Sequence, residues 1–236
     1  MDFSLQPFRY KMIRSLDFYQ SMNNKLAEFD QLTRIKASVS SIEDGWVTTE
    51  VQSFQGSMVF SSIYNPKSLY QQKKYPVLLQ HFVGQVVQTQ KPCFDPDKIE
   101  FMNFNVPQKG NTRFMYVLPI DKNIALFEFT LFSKDLLEHS EYEEAIKDYL
   151  KEKKITDFEI LEKENGAIPM TSFKFEELNS NSILNIGTAG GWTKASTGYT
   201  FYNTSVKTKD LVSFLKKEDD LSMFSKRTKY WFYDLI

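Results

Sequence analysis

One carboxylate stands in an otherwise uncharged run of nine residues, Ile124-Ala125-Leu126-Phe127-Glu128-Phe129-Thr130-Leu131-Phe132. In a strand, Leu126, Glu128, Thr130 and Phe132 share one face. Both faces are otherwise largely apolar, which predicts a central strand covered on both sides. A carboxyl group placed there loses hydration, so its charged form is disfavoured and its pKa rises. A carboxylic acid held protonated near neutral pH is a proton donor, suited to general acid catalysis. A structural ion pair is the alternative, with Arg113 on the preceding strand as the partner, and such pairs also perturb pKa values.

The second candidate is Gly187-Thr188-Ala189-Gly190-Gly191-Trp192-Thr193-Lys194-Ala195-Ser196-Thr197-Gly198-Tyr199, between a strand and a helix. Backbone N–H groups at such a helix start attract phosphate or other anionic groups. The spacing is not GxGxxG and no P-loop is present, so a plain tight turn fits as well. His81, in Leu78-Leu79-Gln80-His81-Phe82, reads as a hydrogen-bonded sheet residue. Cys93, beside Pro92, has no evident role.

Composition excludes several classes. Lys+Arg 29 against Asp+Glu 30 gives a net charge of −1, which argues against nucleic acid as a partner. A single cysteine excludes a disulfide framework and Cys-cluster metal sites, and fits a reducing compartment. Two histidines leave little room for His-based zinc sites or Ser-His-Asp chemistry. No apolar run approaches the ~20 residues of a spanning helix. Residues 1–14 contain no apolar signal core. Aromatic residues make up 15 % of the 236, which suits an apolar cavity and equally an aromatic core.

These side chains need elements to hold them. Apolar spacing of three and four predicts a helix over 10–29. Alternation on either side of Glu43-Asp44-Gly45 predicts a hairpin. Strands follow at 57–64, 76–90, 99–107, 112–120 and 123–133, with Gly and Pro at the joins. Consecutive strands with little helix between them imply a mostly antiparallel sheet. Residues 135–151 read as a helix with Tyr142, Ala145, Ile146, Tyr149 and Leu150 on one face and a Glu143–Lys147 pair on the solvated side. A strand over 157–163, a turn over 164–169, a strand over 182–186 and a helix from about 197 to 218 complete the reading. The end, Tyr230-Trp231-Phe232-Tyr233-Asp234-Leu235-Ile236, carries no cap or stop, and both ends read as cut.

Six ordered segments make the chain resemble the bacterial flavoprotein branch of the lycopene β-cyclase family. They are Leu78–Gly84, Phe101-Met102-Asn103-Phe104, Tyr116-Val117-Leu118-Pro119, Ala125–Thr130, Glu164–Met170, and Ile186–Gly191 through Ser196–Phe201. The resemblance spans about Tyr10 to Asp234. It implies an α/β flavoprotein fold of α+β character, related to aromatic hydroxylases. An FAD/NAD(P)-binding domain is there interrupted by a mostly antiparallel sheet that forms the substrate cavity. Its domains map to 1–45 as a remnant of the FAD domain, 46–165 as the cavity sheet with helix 135–151, and 166–236 as the returning FAD segment and the first C-terminal helices.

The implied reaction is a non-redox, acid-catalysed cyclisation of the linear ends of lycopene to β-ionone rings, an intramolecular lyase or isomerase activity. It uses reduced FAD with NAD(P)H as electron source. Leu126–Thr130 is similar to the family's Phe-Leu-Glu-Glu-Thr run, so Glu128 takes the place of the essential acid/base and Phe129 replaces the second Glu. Gly187, Ala189, Gly190, Gly191, Thr197, Gly198 and Tyr199 are implied flavin neighbours. Lys194 stands where plant relatives carry a His, and is a candidate for holding anionic reduced flavin. Asn103 replaces a usual Asp. Tyr116, Phe127, Phe129 and Trp192 are expected to line the substrate cavity, where ring faces stabilise a passing cation.

The implied partners are lycopene and a membrane surface, at a cytoplasmic, peripheral location, with Lys226–Tyr233 either on lipid or packed inside further chain. The resemblance also implies an upstream βαβ unit with GxGxxG, which this sequence lacks. The polypeptide as given is therefore expected to bind FAD poorly and to be inactive; recovery with stoichiometric yellow flavin refutes this. A related prenyl reductase or monooxygenase, or a non-catalytic carrier of apolar ligands, are the alternatives. The number and type of rings formed and the oligomeric state are not legible.

Overall fold

Apolar alternation over 76–133 becomes the middle of an antiparallel sheet. The computed structural model describes residues 6–7 and 11–224. Two compact units are present, one of residues up to Ile42 with Val47–Phe54, the other of Glu43–Trp46 with Gln55 onward. In the first, helix α1 (Ser15–Leu26) is shorter than expected. Its apolar positions are uncovered, Leu16 and Tyr19 being exposed. Strands β1 (Val39–Glu43), β2 (Trp46–Thr49) and β3 (Ser53–Gln55) form a small sheet. The expected hairpin joins β1 to β2. Its loop residues Asp44 and Gly45 have φ of 45° and 80°, the paired left-handed geometry that a two-residue hairpin favours.

The second unit holds β4 (Val59–Ser61), helix α2 (Pro66–Gln71), β5 (Leu78–Thr89), β6 (Glu100–Asn103), β7 (Thr112–Pro119), β8 (Ile124–Ser133), helix α3 (His139–Glu152), β9 (Phe158–Met170), β10 (Ile183–Asn185) and helix α4 (Phe201–Phe214). Five strands pair antiparallel in the order β6-β7-β8-β5-β9. β8 is thus central, as its uncharged run required. Strand β4 is much shorter than the 57–64 expected and pairs parallel with β10 in a separate two-stranded sheet.

The sheet has one closed face. Val83, Val87, Met115, Val117, Ala125, Phe127, Phe129 and Leu131 pack against Tyr142, Ile146, Tyr149 and Leu150 of α3. Most of the helix face read from sequence is therefore the buried one. Glu143 pairs with Lys163 of β9 at 2.6 Å and His139 at 3.5 Å, not with Lys147, because the sheet edge offers a nearer cation.

The turn expected at 164–169 is absent. These residues continue β9, which pairs with β5 along its length apart from one bulge. Asn-Gly is a strong turn signal, but Gly166 serves another purpose. A Cβ there would meet the Phe82 ring at 2.7 Å, so the glycine admits that ring across the strand. The expected domain boundary at 165/166 falls within this strand. The C-terminal aromatic stretch and the 226–233 segment lie outside the described residues.

His81 illustrates how the closed face is satisfied. Its Nε2 lies 2.7 Å from Ser133 Oγ and its Nδ1 2.6 Å from the Tyr142 hydroxyl. Ser133 donates to the Asp135 carbonyl, and Tyr142 accepts from the Leu137 N–H. The chain of donors therefore fixes a neutral ring with the proton on Nε2 and with Nδ1 accepting from Tyr142. Burial, helped by the Arg113 charge, lowers the His81 pKa despite an opposing backbone contact at Asp135. The folded pKa lies below the unfolded value. Its contribution to stability is thus complete above about pH 6.5 and is lost as pH falls through the lowered value. The His81 part of the melting profile, read as the difference between wild type and a variant lacking the imidazole, is expected to drop below pH 6.5, against the opposite trend from the raised Glu128 carboxyl. His81→Phe is that variant and costs about 1–3 kcal/mol by orphaning the Tyr142 hydroxyl.

Candidate functional site

The other face of the sheet is only partly covered, and Glu128 stands on it. Register sets a row across four strands: Tyr116 of β7 opposite Glu128 of β8, Glu128 opposite Gly84 of β5, and Gly84 opposite Glu164 of β9. The Thr130 hydroxyl, two residues along the same face, donates to Glu128 Oε1 at 2.8 Å. Burial pushes the Glu128 carboxyl up to about 7. The Thr130 hydrogen bond opposes the rise, and the charge of Glu164 and a hydrogen bond with it add to the rise. Glu164 is itself raised by burial and by the charge of Glu162, against the hydrogen bond with Glu128.

The ion-pair alternative fails on parity. Arg113 is opposite Leu131, one residue out of phase with Glu128, and so lies on the α3 face. Its Nε donates to Asn111 Oδ1 at 2.6 Å.

Parity also corrects the aromatic assignments. Tyr116 shares the face of Glu128. Phe127 and Phe129 alternate to the opposite face and are buried in the α3 core, so they line no surface near the acid. Trp192 is buried with Leu184, Leu211, Leu221 and Phe224 in a second core, with the Lys207 ammonium 5.8 Å from its ring. The rings beside Glu128 are others. Phe114 meets Tyr116 edge-on at 5.3 Å and Phe132 at 5.6 Å, and Phe101 meets Tyr116 at 5.3 Å. The signal that finds Phe132 is the two-residue step from Glu128 along β8. Phe114 and Glu164 require the strand register, which the sequence does not print. Asn103 lies opposite Met115 and donates to Glu100 and to Tyr149 on the α3 side, away from the acid.

The second candidate segment folds as a 3-10 turn, Gly187–Gly190, and then a loop to α4, which starts at Phe201 instead of Thr197. Several N–H groups expected to face an anion are used inside the turn: Gly190 donates to Ile186, Gly191 to Thr188 and Trp192 to Gly187. Lys194 closes the next loop. Its carbonyl accepts from the N–H groups of Thr197 and Gly198, and its ammonium donates to Ser196 at 2.8 Å. Ala189 is buried and Tyr199 is exposed.

The glycines differ in what they permit. A Cβ at Gly190 would sit 2.0 Å from the Asn185 carbonyl oxygen, and one at Gly191 2.5 Å from the Phe175 ring. Both are required by the protein's own packing. Gly187, at φ +59°, has nothing within 4 Å of that position and so leaves room for a ligand to approach the backbone.

Gln80 ties this loop to the acid. It precedes Gly84 by four residues on the same face of β5, about 13 Å at the usual strand rise. Its Oε1 lies 2.1 Å from where a Gly198 Cβ would be. That buried oxygen has no hydrogen-bond partner among the described residues. An open glycine and an unused buried acceptor beside the loop fit a ring system that carries an N–H donor. The two candidate regions thus lie on one face of one sheet.

No helix among the described residues is long and apolar enough to cross a membrane. No group of three or more potential metal ligands is present among them.

Three of the solved structures similar to this chain illustrate the fold. A geranylgeranyl bacteriochlorophyll reductase-like protein from Thermoplasma acidophilum matches with TM-score 0.53 and 12% identity, over 76% of this chain and 47% of that one. A flavin-dependent brominase matches with TM-score 0.56 and 14% identity, over 94% and 58%. A flavin-dependent halogenase from Xanthomonas campestris matches with TM-score 0.51 and 10% identity, over 84% and 39%. The chain therefore has the mixed α/β flavoprotein fold expected from its sequence, and spans about half the length of the structures it matches. No curated protein matches it significantly. The lycopene cyclase protein family model covers residues 2–231, and the chain belongs to that family.

Proposed function

We propose that this chain is part of a flavoenzyme that cyclises the linear ends of lycopene, or of a closely similar acyclic carotene, to β-ionone rings. The observation that carries the reading is the buried carboxyl of Glu128, raised to about 7 on a partly covered sheet face that also carries aromatic rings. In this reading the Glu128 O–H bond breaks and its proton adds to the terminal carbon–carbon double bond. A C–H bond forms with the π electrons, leaving a tertiary cation. The next double bond closes the six-membered ring, and loss of a ring proton to the Glu128 carboxylate restores both alkene and acid. Substrate and product have the same oxidation state.

Tyr116 and Phe132, the half-buried rings of this face, would stabilise the cation with π density worth about 0.5–2 kcal/mol per ring, backed by the buried Phe114, and the Phe132 ring offers no nucleophile to trap it. The residues that would hold FAD are the Gly187–Gly191 turn, Gly198, and Gln80 as an acceptor, with Lys194 bracing the loop. Reduced flavin, its electrons drawn from NAD(P)H, would supply negative charge to the site and would transfer no net electrons to the substrate. An insoluble polyene also implies work at a membrane surface, without a span.

The test is expression of the frame encoding this chain, with any adjoining coding sequence, in lycopene-accumulating cells, followed by turnover of the purified product in D2O. Each ring formed is expected to carry one solvent deuterium, with no NAD(P)H consumed in proportion to product. Unchanged lycopene overturns the reading. Stoichiometric NAD(P)H consumption with a saturated product replaces it with a reductase.

A further inference from the structure

We propose that Glu164 is a positioning residue for Glu128, the two carboxyl groups sharing one proton across Gly84. This rests on the reading of Glu128 as the acid. The geometry comes from three adjacent strands. Glu128 and Glu164 are both in register with Gly84, one from each side. Gly84 is what allows them to meet. A Cβ at that position would lie 2.8 Å from Glu164 Cγ and 2.9 Å from its Oε1, so the Glu164 side chain folds over the glycine toward β8. Gly166 and Phe82 repeat the device one pair along, with the roles of the two strands exchanged. The side chains on β5 and β9 therefore cross at two glycines.

Two carboxyl groups brought together over one glycine cannot both ionise at low cost. The groups acting on the pair are the Thr130 hydroxyl from β8, Glu162 along β9, and the pair itself. Thr130 donates to Glu128 Oε1, which leaves the other oxygen of Glu128 to carry the proton toward Glu164. Glu164 then has two effects on the cycle. Before reaction, its carboxylate keeps the Glu128 proton in place at neutral pH. After proton transfer, two adjacent carboxylates repel, and this favours return of a proton from the ring cation to Glu128. No electrons are exchanged.

The test is titration of Glu128 in the full 236-residue chain by carboxyl-selective 13C NMR, for wild type, Glu164→Gln, Gly84→Ala and Glu162→Gln. Glu164→Gln removes the like charge and is expected to move the Glu128 midpoint down by about one pH unit or more. Gly84→Ala displaces the Glu164 side chain and moves it in the same direction. Glu162→Gln, on the exposed side of Glu164, moves it far less. In the expressed frame the alkaline limb of the rate profile is expected to shift down with the midpoint in Glu164→Gln. A Glu128 midpoint unchanged in Glu164→Gln overturns the pairing. If wild type forms no ring, the cyclase reading fails whatever the titration shows; if it forms rings and neither midpoint nor limb moves, the pairing alone fails.

Discussion

Glu128→Gln is expected to abolish ring closure and, above pH 7, to make the folded chain more stable. The loss of activity follows from the chemistry. An amide has no proton acidic enough for an alkene, and a positioned general acid contributes about 10²- to 10⁴-fold. The gain in stability follows from linkage. The folded-state pKa of Glu128 is about 7, against an ordinary value of 4.5. Between these values the folded chain holds a proton that the unfolded chain has released. Stability therefore falls as pH rises from 4.5 to 7 and levels off above. The full difference is worth about 3 kcal/mol, and about 2 kcal/mol after allowance for the partly open face. Glutamine fills the same volume, accepts from Thr130, and does not ionise. The variant is expected to melt several degrees higher than wild type at pH 8 and at nearly the same temperature at pH 4. Pigment analysis and melting curves at the two pH values check both halves. Ring formation within tenfold of wild type removes Glu128 from the mechanism.

The opposite signs explain why the site was partly legible in the sequence. A lone carboxylate among apolar strand residues violates the local pattern, and such violations mark positions where stability is given up for function. Glu128 stood out for that reason. Glu164 did not, because it lies in an acid-rich segment where one more carboxylate is unremarked, and its partner is fixed by register across β5. The strands from 76 to 133 and helix α3 were legible because alternation and three-to-four spacing express burial directly. Which rings face the acid was legible in part. The two-residue step already placed Phe127 and Phe129 opposite to Glu128, and the resemblance had assigned them to the cavity nonetheless. The Asn165-Gly166 step misled because glycine has two uses, a turn and a close approach, and only the neighbouring Phe82 ring separates them. The β4–β10 pairing was hidden because it joins two three-residue strands across the whole five-stranded sheet.

Two glycines of the 187–191 turn are expected to respond in opposite ways to the same substitution. At Gly190 an alanine Cβ would lie 2.0 Å from the Asn185 carbonyl oxygen and 2.6 Å from its carbon. Both are backbone atoms of β10, and the next carbonyl along the chain, Ile186, seats the turn by accepting from the Gly190 N–H. The contact cannot be relieved by rotating a side chain, so the turn and β10 must part. That exposes Leu184 and Trp192, two members of the second core. Gly190→Ala is expected to cost more than about 4 kcal/mol, at the exceptional end for one substitution, and to leave little soluble chain. At Gly187 the same methyl group enters open space, and only the left-handed φ of +59° resists it. That strain is about 1–2 kcal/mol. Gly187→Ala is therefore expected to fold with a modestly lower melting point. If the open space beside Gly187 admits the flavin, the methyl group occupies the approach, and flavin affinity falls at least tenfold by fluorescence titration of the expressed frame. Circular dichroism separates the two variants. A folded Gly190→Ala contradicts the packing role of that glycine, and undiminished flavin affinity in Gly187→Ala moves the cofactor away from this turn.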